Sequence, residues 1–211
     1  MTYQTEQETF WAGAFGDQYI ERNTGDTLLA LNLAFFAQAL RRAQPMSSVI
    51  EFGANVGMNL RALKMLHPDQ QQFGIEINER AASELATVIP PTHVIQQSIL
   101  DFAPQRTWDL VLIKTVLIHI APTFLPQVYD ALYYSARRYI LVAEYYNPSP
   151  DEVSYRGHTK RLFRRDFAGE LLARHSRLKL VDYGFVYRHD PIMPQDDITW
   201  FLLQKTDVEA S

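Results

Sequence analysis

The sequence predicts an α/β fold, a Rossmann-like doubly wound, mostly parallel seven-stranded sheet with a C-terminal reversed strand pair. Three observations predict it. Short apolar runs alternate with helical stretches from Val49 onward, the pattern of successive βα units. The run Asp109-Leu-Val-Leu-Ile113 is almost unbroken in apolar residues, as in a strand buried on both faces of a parallel sheet. Two strand-like runs, Leu178 to Tyr187 and Ile198 to Gln204, close the chain with no helix between them, which calls for an antiparallel pair.

The elements follow in order. From about Thr5 to Tyr19 an aromatic-rich stretch (Phe10, Trp11, Phe15, Tyr19) reads as a helix interrupted by Gly13 and Gly16. Thr27 to Ala43 reads as a long core-facing helix that ends before Pro45, because the residue preceding proline resists helical geometry. Val49 to Phe52 is a short strand, Met58 to Leu66 a helix stopped by Pro68, Gln72 to Ile77 a strand, and Glu79 to Val88 a helix stopped by Pro90 and Pro91. His93 to Gln96 is a third strand and Asp109 to Ile113 a fourth. Phe124 to Ser135 is a helix, and Tyr139 to Ala143 another buried strand. A loop is expected from about Tyr145 to Lys160, then a helix from Asp166 to His175 before the final strand pair.

With 211 residues and 47% apolar content, the chain suffices for one well-buried core, so residues 1–211 read as a single domain with 1–45 as an N-terminal helical segment. The balance of 20 Lys and Arg against 24 Asp and Glu gives a formal charge of -4, which argues against nucleic acid as the principal partner, since a phosphate backbone calls for a broad basic face. Cysteine is absent, so neither disulfides nor thiolate zinc sites can form, and no clustered ligand set argues for a metal. The first residues lack the basic start and apolar run of a signal peptide, and no segment approaches the ~18 consecutive apolar residues of a membrane span. A cytoplasmic protein with no membrane partner is expected. Oligomeric state is not readable.

The strongest local signal is Glu51-Phe-Gly53-Ala54-Asn55-Val-Gly57, which closes the first strand and opens directly into a helix. In open α/β sheets ligands sit beyond the carboxyl ends of strands, where the topology reverses. Gly53 is expected to take backbone angles forbidden to other residues, Asn55 tolerates left-handed geometry, and Gly57 lets the helix start pack closely. Gln72-Phe-Gly-Ile-Glu76 places an acid at the tip of the second strand, 19 residues after Gly57, the interval at which a carboxylate meets ribose hydroxyls.

Glu51-x-Gly53-x-Asn55-x-Gly57, Glu76 and Trp108-Asp-Leu-Val-Leu-Ile-Lys114 together resemble the first, second and fourth motifs of class I S-adenosylmethionine methyltransferases, across residues 48 to 205. Asn55 stands where most members carry a middle glycine. More narrowly, Phe10-Trp11 with Phe15-Gly16, Leu117-Ile-His119-Ile, and Glu144-Tyr-Tyr-Asn-Pro148 before Tyr155-Arg-Gly-His158 is similar to the methylases associated with pseudaminic acid biosynthesis. The resemblance implies S-adenosyl-L-methionine as cofactor and a small-molecule acceptor methylated on oxygen or nitrogen, a nonulosonic-acid-type sugar or its precursor, with a small carboxylate-bearing metabolite as the alternative.

It also implies roles. Gly53 and Ala54 are expected against the amino-acid end of the cofactor, with Asn55 and Gly57 shaping the turn. Glu76 takes the ribose, Ile77 packs on adenine, and Ser98 and Ile99 meet the adenine edge. Lys114 and Thr115 end the fourth strand beneath the methionine moiety. Residues 1–45 form a cap over the cofactor site, in which Trp11 and Tyr19 close over the ligand and Arg22 pairs with its carboxylate. A hydroxyl or protonated amine acceptor must lose a proton, so a base is expected. His119, His158 and Tyr145 are the candidates for catalysis; for His119 the bland reading is a helix-start or packing residue. Tyr146, Asn147 and Tyr155 are expected to wall the acceptor, and Arg156 and Arg161 to bind an anion on it, unless this basic cluster is simply a solvated face.

Two other readings use the same architecture. A nicotinamide-dependent oxidoreductase expects Gly-x-Gly-x-x-Gly, but Asn55 holds the second glycine position and residue 58 is Met. A binding or regulatory module would keep the cofactor turn and lack turnover, its aromatic N-terminus docking a partner.

Overall fold

Seven strands form one sheet in the order β3-β2-β1-β4-β5-β9-β8. They are β1 (Ser48–Phe52), β2 (Gln71–Glu76), β3 (Val94–Gln96), β4 (Trp108–Lys114), β5 (Ala136–Glu144), β8 (Leu178–Val186) and β9 (Ile198–Lys205). The first five run parallel, and β9 lies antiparallel between β5 and β8. This is the predicted sheet with its reversed pair. The computed structural model describes residues 3–21, 24–155 and 158–206, the side chains of residues 154–161 excepted.

Both faces of the sheet are covered, which is why its central strands are mostly apolar. On one face Ile50 and Phe52 of β1, Ile113 of β4 and Val142 of β5 pack under α6 (Leu125–Ser135) and α7 (Phe167–Arg174). On the other, Val49, Leu110, Leu112 and Leu141 pack under α3 (Asp26–Ala39) and α4 (Met58–Leu66). Strand alternation therefore turns Glu51 toward the α4 side, into a position that is 1% exposed. Helix α5 (Glu79–Leu85) starts from an Asn78 cap whose Oδ1 accepts the Ala81 N–H.

At the N-terminus α1 (Glu6–Ala12) and α2 (Ala14–Ile20) meet at an extended Gly13. A Thr5–Glu8 capping box starts α1, each side chain answering the other's backbone N–H. Gly13 breaks the helix as expected, but Gly16 does not. It lies inside α2, where a Cβ would stand 1.9 Å from the Trp11 carbonyl oxygen, so it serves close packing rather than interruption. Helix α3 stops at Ala39, earlier than Pro45 alone would require.

The expected loop from 145 to 160 is corrected. Strands β6 (Asp151–Tyr155) and β7 (His158–Arg164) form a separate antiparallel pair. Val153 opposes Leu162, which reaches the core, and the Arg164 guanidinium bonds the Asp151 carboxylate across the pair. The apolar residues are too few and too widely spaced for periodicity to expose them. No helix among the described residues is long and apolar enough to cross a membrane.

Gly74, in the middle of β2, shows how closely these layers meet. A Cβ there would lie 2.9 Å from both Ala54 Cβ and Leu85 Cδ2, so the glycine lets α5 and the turn after β1 approach the same strand. Gly74→Val is expected to destabilise the fold by about 1–3 kcal/mol through overpacking, read as a lower urea midpoint at unchanged slope.

Candidate functional site

The register builds the site. Phe52 pairs with Ile75 on one side and Ile113 on the other, so Gly53, Glu76 and Lys114 stand one step further along, on a single line at the carboxyl edge of the sheet. A crevice of about 180 Å³ opens there.

Gly53 and Gly57 have φ of +77° and +80°, and Asn55 has φ of +46°, as the glycine turn requires. The N–H groups of Gly53 and Ala54 both donate to the Ile75 carbonyl, and Gly57 N–H donates to Ala54. Gly53 and Ala54 therefore offer a ligand a close surface rather than donors. Gly57 does not line the crevice; its Cα faces Leu85 and Val88, which lets α4 begin hard against α5.

Glu76 is 8% exposed and is fixed from two sides. Its Oε2 accepts the Asn55 N–H at 2.7 Å and its Oε1 the Asn78 N–H at 2.8 Å. The carboxylate thus ties the β1 turn to the start of α5, and each oxygen keeps acceptor capacity for a ligand. Burial raises its pKa, and the Asn78, Asn55 and Ile77 N–H groups pull it back.

Ile77 and, on the loop after β3, Ser98 and Ile99 continue the wall. Trp11 and Tyr19 face it from α1 and α2, their rings 5.2 Å apart edge to face. Across the crevice, Trp11 also meets the His119 ring at 4.6 Å, in a 3-10 turn at Leu117–His119. His119 is 7% exposed and lines the crevice.

Lys114 and Thr115 complete the floor. Thr115 has φ of +57°, an uncommon conformation for a β-branched residue and a strain held at the tip of β4. Lys114 reaches across to the Phe35 ring at 5.5 Å, and its burial lowers its pKa despite Glu51, Asp196 and Glu144 nearby.

The acceptor-side expectations fare differently. Tyr145, Tyr146 and Asn147 do not line the crevice. The Tyr145 hydroxyl bonds Asp196 at 2.9 Å, Tyr146 sits by Phe201 on an outer face, and Asn147 Oδ1 accepts Ser149 N–H in its own turn. Arg22 and Arg156 lie outside the described residues. Tyr155, His158 and Arg161 are placed only by their backbones on β6 and β7, their side chains lying outside what is described.

Several site residues were not foreseen. Glu51 Oε1 accepts a 2.6 Å bond from Asn59, a crevice residue, while its other oxygen has no hydrogen-bond partner. Burial raises its pKa to about 8, against the pull of Asn59 and Lys114. Glu144, at the tip of β5, accepts the N–H groups of Val116 and Leu117 at 2.9 Å each, which fixes the turn bearing His119. Burial raises it to about 7, against those N–H bonds. Asn32 of α3 and Glu8 of α1 also line the crevice, and each keeps a buried oxygen without a partner. Glu8 was legible as the fourth residue of the capping box after Thr5. Asn32 carries no local signal, because only packing brings α3 there.

No protein-family model matches the chain, and no curated protein matches it either. Solved structures do. A magnesium protoporphyrin IX methyltransferase from Synechocystis PCC 6803, with bound S-adenosylmethionine, aligns at 12% identity over 98% of this chain and 100% of its own, with a TM-score of 0.69. A sugar N-methyltransferase from Streptoalloteichus aligns at 14% identity over 98% and 97%, TM-score 0.66. An N-methyltransferase from Bradyrhizobium japonicum, in complex with S-adenosyl-L-homocysteine, aligns at 13% identity over 90% and 98%, TM-score 0.64. The chain shares the Rossmann-like fold of these enzymes.

Proposed function

We propose that the chain is an S-adenosylmethionine-dependent methyltransferase acting on an oxygen or nitrogen of a small, anionic, sugar-type acceptor. The observation that carries this reading is the line of Gly53, Glu76 and Lys114 at the carboxyl edge, with Glu76 locked between two loops and facing a crevice. The shared fold supports it, since neighbours on that fold bind this cofactor or its product.

The residues present suit the cofactor. Glu76 would take the ribose diol and Ile77 the adenine face, with Ser98 and Ile99 at the adenine edge. The unpartnered oxygens of Asn32 and Asn59 are buried acceptors suited to the ammonium of an amino-acid end. When bound, the cofactor supplies a methyl group already activated on sulfur.

The chain's own residues then orient the acceptor and remove its proton. Trp11 and Tyr19 exclude water from the crevice. His119, held by Trp11 and by the turn that Glu144 fixes, accepts the proton from the acceptor hydroxyl or ammonium. Arg156 and Arg161 are the proposed partners of an acceptor anion. The sugar class is supported by the resemblance to pseudaminic acid-associated methylases and by a sugar N-methyltransferase among the structural neighbours.

Titration calorimetry should show saturable binding of S-adenosylhomocysteine, and a panel of sugar acids and amino sugars should show cofactor-dependent turnover. His119→Gln is expected to cut turnover by roughly 10²–10⁴-fold, with product affinity nearly unchanged. No binding heat would overturn the assignment, and an unimpaired variant would remove His119 from the chemistry.

A further inference from the structure

Asn78 joins the two walls of the crevice. Its backbone N–H donates to Glu76 Oε1 and its Oδ1 caps α5 through the Ala81 N–H. Its amide nitrogen turns the other way and donates to the Trp11 carbonyl at 3.3 Å, the Ala12 carbonyl at 3.5 Å and Asp17 Oδ1 at 2.9 Å. Those two carbonyls end α1, where helical partners run out, and Asp17 lies in the first turn of α2. One side chain, 3% exposed, thus fastens the α1–α2 break directly to the residue that anchors Glu76. The fit is tight: a Cβ on Gly16 would stand 2.8 Å from the Asn78 amide nitrogen.

The segment so fastened is held at three points around the crevice. Gln4 Nε2 donates to Asp101 Oδ1 at 2.6 Å, Asn78 holds its middle, and Trp11 meets His119 on the far side. Thr5, Glu8, Trp11 and Gly16 of this strap line the same crevice as Glu76.

We propose that Asn78 is a positioning residue that latches the α1–α2 strap to Glu76, so that the strap governs departure of the adenosyl ligand. The inference rests on the proposed cofactor reading and goes beyond it in assigning a residue and a kinetic role. Asn78 acts through Trp11 and Glu76, by holding both in place at once.

Asn78→Ser keeps a capping oxygen and the backbone N–H to Glu76 while removing the amide donors. Asp17→Ala removes one partner and leaves the cap untouched. Of the three tryptophans Trp11 lines the crevice and Trp108 and Trp200 do not, so a ligand-dependent fluorescence change reports Trp11 and allows stopped-flow measurement. With S-adenosylhomocysteine as probe, Asn78→Ser should dissociate about tenfold faster and Asp17→Ala a few-fold faster, with unchanged circular dichroism. The double variant should be no faster than Asn78→Ser alone, because both act through one latch. A dissociation rate within twofold of wild type in both single variants would overturn the proposal. Limited proteolysis without ligand separates it from the parent reading. Faster cutting at the α1–α2 break in Asn78→Ser supports the latch even if wild type binds no product, and unchanged cutting refutes it.

Discussion

Glu76→Ala is expected to abolish measurable binding of S-adenosylhomocysteine, raising Kd on the order of 10²–10⁴-fold, and to lower stability at the same time. Two effects combine. In the proposed complex the ribose would lose two hydrogen bonds to a charged acceptor, each worth roughly 1.5–3 kcal/mol. The Asn55 and Asn78 N–H groups lose their shared acceptor in a buried place, at about 1–3 kcal/mol each. Glu76→Gln is no rescue, because its amide group would point a donor at one of these two N–H groups. Glu76→Asp, one methylene shorter, cannot span both. Calorimetry and thermal melts of the three variants check this; an alanine variant that binds product within fivefold of wild type would dismantle the ribose assignment.

The place of Glu76 was readable because it is local: a strand tip at a fixed interval after a glycine turn. The same holds for Gly53, Asn55 and Gly57, whose positive φ angles follow from residue type and position. The sheet was readable because burial on both faces favours apolar runs, and Val49-Ile50 of β1 and Leu110 to Ile113 of β4 supply them. What escaped depends on distant packing. Glu51 stood in the motif, yet its burial follows from α4 bringing Asn59 across it. Asn78 escaped notice altogether: the structure makes it the cap of α5, and nothing near it in sequence announces Trp11 or Asp17, more than sixty positions away. Tyr145 to Asn147 were placed by analogy at a strand end, and Asp196, just before β9, draws the Tyr145 hydroxyl aside. Thr115 gave no sign of its strain, since residue type there disfavours the angle it adopts.

The buried acids lead to a second large effect, a loss of stability as pH rises through neutrality. Glu51 and Glu144 titrate near 4.5 when unfolded and, pushed up by burial, at about 8 and about 7 in the fold. Between pH 5.5 and 6.5 the folded state therefore holds both protons and the unfolded chain has released them. Stability falls with pH by about 1.4 kcal/mol per unit for each group. Lys114 faces both acids and limits the shift, Glu76 faces Glu51 and enlarges it, and their net effect is already contained in these values. The melting temperature should drop by roughly 5–10 °C across that one unit. Opposing this at acid pH, Asp130 beside Arg174 and Asp182 beside Arg41 are held below their ordinary range. Their contribution is present above the unfolded value of 3.8 and is lost as pH falls through the lowered one, and His175, held below its ordinary 6.5 by burial, likewise costs stability as pH falls below 6.5 and so offsets part of the decline. The two acids separate in variants. Glu51→Gln keeps an acceptor for Asn59 without a charge, so it should halve the slope and leave stability flat above pH 7. Glu144→Gln should preserve the decline up to pH 8 while loosening the Val116 turn. Thermal melts at unit steps from pH 4 to 9 distinguish these outcomes, and a wild-type curve that rises from pH 5.5 to 7.5 would show both acids ionised in the fold and paired more strongly than their burial penalises them.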